Sequence, residues 1–353
     1  MSTAQPGVEF GLFDWIDAAP GAGVSDVYEG RLRLLAEADR GGFAVYHLAE
    51  HHGTPLGMAP SPGVFVAAAA RVTTRIRLAP TTFIVPLYDP LRLTQEIAML
   101  DQLSRGRLEI GVGRGSSPHE AAMYGLTPAD AAERFERYLP AILEGLETGT
   151  FRRPDGDPVP LHVPVYQRPH PPLWYPSSNP ASIPRLGEQG YNALFGFGFV
   201  SPPLDVLREQ SKTFFERYRA SAERGEARYG LAGTTPRFGI MRHVFVAPTD
   251  EEAVELARPA FADHHTSFTH LWRLHGNERF SAPVDFDQLV AEGRLFVGSP
   301  QTVARQVAEA IAGTEVNYVA GAFAWGSLDT EASLRSLRLF RDEVIPAVRR
   351  VEH

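Results

Sequence analysis

The chain has 353 residues, is 44% hydrophobic and 22% charged, and carries a formal net charge of −8. That composition supports a large folded core and excludes wholesale disorder, and the acidic balance argues against a nucleic-acid partner, because no basic face would track a phosphate backbone. The absence of cysteine excludes disulfides, thiolate metal sites and a cysteine nucleophile together.

At the N-terminus, residues 1–7 show no basic stretch followed by an apolar run. No window reaches the roughly 18 uninterrupted apolar residues of a membrane span, so a cytoplasmic protein is expected. Residues 8–15 read as a first strand, followed by a helix over 27–40 that stops at Gly41-Gly42. Residues 44–51, 76–85 and 108–112 read as the next three strands, and 173–176, 192–197, 238–246 and 316–325 as four more. Strands alternating with helix-like stretches predict parallel strands joined by crossover helices. Eight such units favour a closed (β/α)8 TIM barrel, with residues 1–353 as a single domain, over an open doubly wound sheet.

Three helix starts share one syntax, Ser61-Pro62, Asp89-Pro90 and Ser117-Pro118: a capping residue, then a proline whose missing N–H costs nothing at the first helical position. After Asp89-Pro90, the residues Leu93, Ile97 and Leu100 fall at helical spacing, and Gly106 follows as a terminator. Two regions break the alternation. Residues 152–172 are proline-rich and read as a surface excursion. Residues 263–295 mix His264, His265, His270, Trp272, His275 and Gly276 with polar residues. In a barrel this segment is a candidate lid, and a peripheral helix pair is the equal alternative.

The chemistry concentrates in a few stretches. Leu108 to Val112 runs into a glycine-rich bend, Gly113-Arg114-Gly115-Ser116, and then a helix start with Ser117 as N-cap and Glu120 placed to close a capping box. Freed backbone N–H groups and Arg114 make a receptor for a phosphate. A dinucleotide-fold reading of these glycines is weak, since the third glycine of G-x-G-x-x-G would fall on Ser116. The second strand ends in Glu50-His51-His52, at the end of a barrel strand where active sites lie. A histidine there can move protons near neutral pH, or the pair can simply be hydrogen-bonded at a loop start. His47, Glu50 and His51 also match an inverted zinc-protease pattern, but that pattern needs a helix where a strand is due. Thr81 and Thr82 fall in the middle of the third strand, where they are either ordinary strand residues or let a flat ligand lie against the barrel mouth. Ser177, Ser178, Asn179 and Ser182 crowd a helix start, where capping alone explains them or a second phosphate wall does. Asn179-Pro180 and Ser182 with Pro184 compete as the start of that helix, because both prolines do not fit one regular helix.

These motifs together resemble the bacterial luciferase-like flavin-dependent monooxygenases. The resemblance rests on Ala49 to His52, Ser61-Pro62, Thr73 to Leu78, Asp89 to Leu93, Ala98 to Leu108 and Gly111 to Gly115, with sparser matches at Val297 to Val303 and Ser336 to Pro346. It implies a (β/α)8 barrel that takes reduced FMN (FMNH2) from a separate flavin reductase and uses O2 to oxygenate a small, largely apolar organic substrate. It also implies a homodimer. Position by position, it implies His51 as the flavin-side histidine, Thr81 and Thr82 beside the flavin ring at a position where relatives often have a non-proline cis bond, and Arg114 with Ser116 at the phosphate. Ser177, Ser178, Asn179 and Ser182 would form the second phosphate cluster, and 263–295 would be the mobile insertion. Light-producing members carry a cysteine at the position of Gly113, so bioluminescence is not expected. A deazaflavin (F420)-dependent oxidoreductase of the same fold and a non-catalytic flavin-binding subunit are the alternatives.

Overall fold

The computed structural model describes residues 7–17, 21–153, 156–197, 200–230, 233–277 and 282–351. The strands are, in chain order, β1 (Glu9–Asp14), β2 (Val45–Leu48), β3 (Arg77–Pro80), β4 (Phe83–Ile84), β5 (Ile110–Gly113), β6 (Thr150–Phe151), β7 (Val159–Pro160), β8 (Leu173–Ser177), β9 (Asn192–Phe197), β10 (Phe238–Val246), β11 (Leu295–Gly298) and β12 (Tyr318–Ala322). All but β6 and β7 join one parallel sheet in the order β3-β2-β1-β12-β10-β9-β8-β5-β4, with β11 added to β10. The two ends of that path, β3 and β4, are consecutive in the chain. Leu78 also bridges to Leu108, its N–H donating to the Arg107 carbonyl and its own carbonyl accepting from the Glu109 N–H. The sheet therefore closes into a barrel on residues 77–84, with helices outside it.

Side-chain alternation sorts the core into two layers. Along β10, Ile240, Val244 and Val246 pack outward with the helices, while Met241 and Phe245 join the interior group of Phe13, Val45, Ala79, Trp174, Leu194, Tyr318 and Ala320. Tyr318 crosses the interior. It fits because Gly11 and Gly239 lack side chains: a Cβ at Gly11 would lie 1.7 Å from the Tyr318 hydroxyl, and one at Gly239 2.6 Å from its ring. Below it, the buried Glu109 carboxylate accepts from the Arg77 guanidinium and the Trp174 indole N–H. Arg237 lies 3.6 Å from the same carboxylate. A buried charge held this way is paired and hydrogen-bonded rather than stranded.

The structure modifies the expected elements in three places. The third strand is split, with Thr81-Thr82 joined by a cis peptide bond between β3 and β4. The four-residue β11 falls at the end of the stretch read as a lid. It pairs with His243 to Val246 of β10, beyond the reach of β9, whose last partner there is Met241. The lid stretch itself begins inside a helix, because residues 263–268 are the last turns of Asp250–Phe268, whose Ala253, Ala257, Ala260, Phe261 and His264 are buried. Helices His270–Leu274 and Phe286–Ala291 follow, and residues 278–281 of that stretch lie outside the described residues. The proline-rich excursion is pinned where Tyr166 and Gln167 backbone N–H groups donate to Asp101. No helix among the described residues is long and apolar enough to cross a membrane.

The packing around Tyr318 gives a direct test. Gly11→Ala places a methyl group against the Tyr318 hydroxyl and within 2.5 Å of the Val45 carbonyl. Denaturant unfolding should show a loss of about 2–3 kcal/mol, and an unchanged midpoint would refute this account of the interior.

Candidate functional site

β2 ends at Leu48, so Glu50-His51-His52 lies just past the strand, at the C-terminal mouth of the barrel. His47, still on the strand, points inward and is fully buried. The Thr81 hydroxyl donates to the Ala79 carbonyl at 3.1 Å and so accepts from His47 Nδ1–H at 2.9 Å. That leaves His47 Nε2 to accept from the Tyr318 hydroxyl at 2.9 Å. Burial, with Arg237 adding to it, lowers the His47 pKa to about 3, so the ring is neutral. With both nitrogens engaged, His47 is a packing residue and not a metal ligand. Among the described residues no group of three acidic, histidine or cysteine side chains is placed to hold a metal ion.

Two buried carboxylates organise the histidine pair. Glu50 accepts from the Ile84 N–H, the Tyr88 hydroxyl and His52 Nε2, the last two at 2.8 Å. Glu120 accepts from His51 Nδ1 and the His52 N–H, both at 3.0 Å. Burial alone would raise the Glu120 carboxyl, but the hydrogen bonds and charge from His51, with the His52 N–H, outweigh it and hold the group below the usual range. A carboxylate only accepts, so His51 carries its proton on Nδ1 and turns Nε2 outward from the pair. The side chain of His51 is 21% exposed against 3% for Glu120, so it is the reachable member.

The capping box expected at Ser117 is half-formed. Ser117 accepts from the Glu120 N–H at 3.3 Å, but the Glu120 carboxylate turns to His51 instead of closing the box. The helix it starts, Pro118–Met123, is short. The sequence pattern placed Glu120 in a local cap; its partner lies 69 residues away in the chain.

Arg114 follows β5 and is exposed, with no hydrogen-bond or ion-pair partner among the described residues. Gly115 has φ +83°, a left-handed conformation that favours glycine. A Cβ at Gly111 would lie 2.3 Å from the Pro80 carbonyl, and one at Gly113 3.0 Å from Thr82. β5 thus runs close against the Thr81-Thr82 segment, and Ser116 lies exposed just beyond the bend. The second serine group starts at Ser177, the last residue of β8, and continues past that strand, which pairs with β5. Its two competing helix starts are both used: Asn179 caps a 3-10 turn at Pro180–Ser182, and the α-helix begins at Ile183. The Ser182 hydroxyl donates toward Ser177 Oγ at 2.8 Å and the Asn179 carbonyl at 2.7 Å, while Ser178 is exposed. Arg114 and the serines therefore stand on neighbouring strand ends.

Sequence reasoning missed one further group. Asp17, His264 and His243 are hydrogen-bonded in series in the interior, at 2.9 and 3.0 Å. Asp17 and His264 are 247 residues apart, so spacing carries no signal. The odd-numbered phase of β10, which turns Met241 and Phe245 inward, is the one pattern that would have flagged His243.

The luciferase-like monooxygenase family matches this chain over residues 8–317. The chain is 33% identical over 346 residues to the uncharacterized protein y4wF of Sinorhizobium fredii, covering 96% of this chain and 97% of that one. It is 28% identical over 237 residues to the oxygenase component of the flavin-dependent trigonelline monooxygenase of Acinetobacter baylyi, covering 64% and 61% of the two chains. Among solved structures it is similar to the monooxygenase RslO1 of Streptomyces bottropensis (TM-score 0.82, 22% identity, 96% of this chain and 99% of that one). It is similar as well to the oxygenating constituent of 3,6-diketocamphane monooxygenase of Pseudomonas putida, solved with FMN (TM-score 0.77, 22% identity, 97% and 98%). A coenzyme F420 dependent tetrahydromethanopterin reductase of Methanopyrus kandleri has the same fold (TM-score 0.68, 19% identity, 97% and 99%).

The lowered Glu120 pKa makes its contribution to stability full above the ordinary carboxylate range and lost as pH falls through the lower folded-state value. Glu120→Gln should cost about 1–3 kcal/mol of unfolding free energy at neutral pH. The gap to the unsubstituted protein should narrow as the solution is taken below about pH 4. A gap independent of pH would contradict the ionised pairing.

Proposed function

The chain belongs to the luciferase-like monooxygenases, and from that membership we propose that it is the FMN-dependent oxygenase of a two-component system. It receives reduced FMN from a separate flavin reductase and, with O2, oxygenates a small, largely apolar organic substrate. The observation that carries this reading is Arg114, a guanidinium on a glycine bend with no partner among the described residues, at the end of a strand paired with the one that leads into the serines. A phosphate suits that donor set. The close packing of Gly111 and Gly113 against Pro80, Thr81 and Thr82 fixes the segment against which the flat part of a flavin would lie.

Arg114, Ser116, Ser177, Ser178, Asn179 and Ser182 would hold the phosphate, with Thr81, Thr82 and Gly113 beside the ring. Reduced FMN, when bound, supplies the electrons that activate O2 for transfer of one oxygen atom to the substrate. His51 is the catalytic residue of this reading. Glu120 fixes its Nδ1 proton and ring orientation, which leaves Nε2 to hold or accept a proton at the reacting groups. The interior rings of Phe13 and Trp15, with half-buried Phe197, give an apolar floor that excludes water. The trigonelline relative, named as an oxygenase component, supports the two-component arrangement. Exposed Val64, Met99 and Leu103 on the neighbouring helices Pro62–Val72 and Pro90–Ser104 support a homodimer, which we place in the cytoplasm.

The F420 reductase of the same fold keeps one second reading, an F420-dependent oxidoreductase; absorbance titration with each cofactor separates the two. The intact His51–Glu120 pair weighs against a non-catalytic subunit.

Arg114→Ala should weaken FMN binding about tenfold to a hundredfold, read by flavin fluorescence titration, and unchanged affinity would remove the phosphate assignment. His51→Gln should keep FMN affinity and lower product formation about a hundredfold. Full turnover in that variant would remove the catalytic role.

A further inference from the structure

The interior of the barrel holds an acid–base assembly that the flavin site does not use. Asp17, three residues past β1, is buried, as are His264 on the helix Asp250–Phe268 and His243 on β10. Asp17 Oδ2 accepts from His264 Nδ1 at 2.9 Å and from the Gly326 N–H at 2.7 Å, and Arg31 lies 3.5 Å from Oδ1. Burial would raise the Asp17 carboxyl, but His264 first, then Arg31 and the Gly326 N–H, hold it below the usual range. Asp17 is thus a carboxylate, and His264 carries its proton on Nδ1. The Nε2 atoms of His264 and His243 lie 3.0 Å apart and share one hydrogen, which we place on His243. Burial, with His264 and Arg242 beside it, holds His243 far below its ordinary value, so the His243 ring is neutral.

The series ends on a bare nitrogen. His243 Nδ1 is buried and has no hydrogen-bond partner, an unfavourable state for a polar atom in the ligand-free protein. Its ring is stacked on Trp15, with centroids 5.0 Å apart and planes within 9°, and Trp325 and Phe261 meet it edge-on. Trp15 in turn touches Phe13, which touches Phe197, the half-buried outermost ring. A lone pair backed by a carboxylate and walled by aromatic rings suits an aromatic or unsaturated compound bearing an acidic O–H.

We propose that His243 is a catalytic residue whose Nδ1 takes the proton of a phenolic or enolic substrate, with His264 and Asp17 as positioning residues behind it. The inference rests on the monooxygenase reading above and names its substrate class. The substrate O–H bond breaks and Nδ1–H forms, while the His243 Nε2 proton passes to His264 Nε2. His243 ends neutral, the substrate is an oxyanion, and the positive charge lies on His264 against the Asp17 carboxylate. No electrons are exchanged in this step. The oxyanion enriches the adjacent carbon in electron density, which favours attack on an electrophilic oxygen.

The test compares two probes that differ only in the O–H, 4-nitrophenol and 4-nitroanisole, in the full chain and in its His264→Gln and Asp17→Asn variants. The unsubstituted protein should bind 4-nitrophenol about tenfold more tightly than 4-nitroanisole, with growth of the visible phenolate band. His264→Gln should bring the ratio close to one and abolish the band, and circular dichroism should confirm the fold. Asp17 also holds the Gly326 N–H, so if Asp17→Asn unfolds, His264→Gln alone decides. Equal affinities in the unsubstituted protein, no binding of either probe, or an unchanged ratio in folded His264→Gln would overturn the proposal. A parallel FMN titration separates the two readings: failure of the unsubstituted protein to bind FMN would sink the flavin assignment, while the probe comparison still reads the histidine chain.

Discussion

The close approach of Gly111 to the Pro80–Thr81 backbone, and of Gly113 to the Thr82 side chain, positions the rest of the barrel mouth. A Cβ at Gly111 has no room beside the Pro80 carbonyl, so the strand that carries Arg114 can lie there only as glycine. The same contact is where the barrel closes, because β3 and β4 are the two ends of the sheet path. Thr81 is held on the inner side by His47, and His47 by Tyr318. The closing segment is therefore fixed from both faces, and neutral hydrogen-bonded groups fix it without burying a net charge.

Around that closure the chain separates its histidines by environment. His47 is sealed between two hydroxyls and stays neutral. His51 is the reachable one and is backed by an ionised Glu120. His52 is tied to Glu50, whose carboxylate also holds the Ile84 N–H and Tyr88, so that carboxylate ties the histidine loop to β4. His243 and His264 occupy the opposite wall, on the long strand β10 and the helix after it. One side chain type thus serves packing in one place and loop anchoring in another and stands reachable in a third, and burial and partner decide which.

Much of the architecture was legible in the sequence because it is local. Alternating strand and helix patterns gave the barrel, and Ser117-Pro118, Asp89-Pro90 and the Gly113–Gly115 bend gave helix starts and a turn that the structure contains. What stayed hidden is pairing at long range. Glu120 read as a capping residue since its spacing from Ser117 fits one, and only the fold brings it to His51. β11, which starts at Leu295 where the candidate lid ends, has no strand pattern to announce it, because four residues are too few for one to stand out. The Asp17–His264–His243 series draws on three separate elements, so no spacing could announce it.

The reading of this mouth as an FMN site, with the phosphate between the two strand-end loops, is open to direct observation. A crystal structure of the protein with FMN tests it most directly. The phosphate should lie within hydrogen-bond distance of Arg114 and of the Ser177 or Ser182 hydroxyl, with the flavin ring against Thr81-Thr82. A phosphate bound away from Arg114, or a ring seated elsewhere than beside that segment, would contradict it.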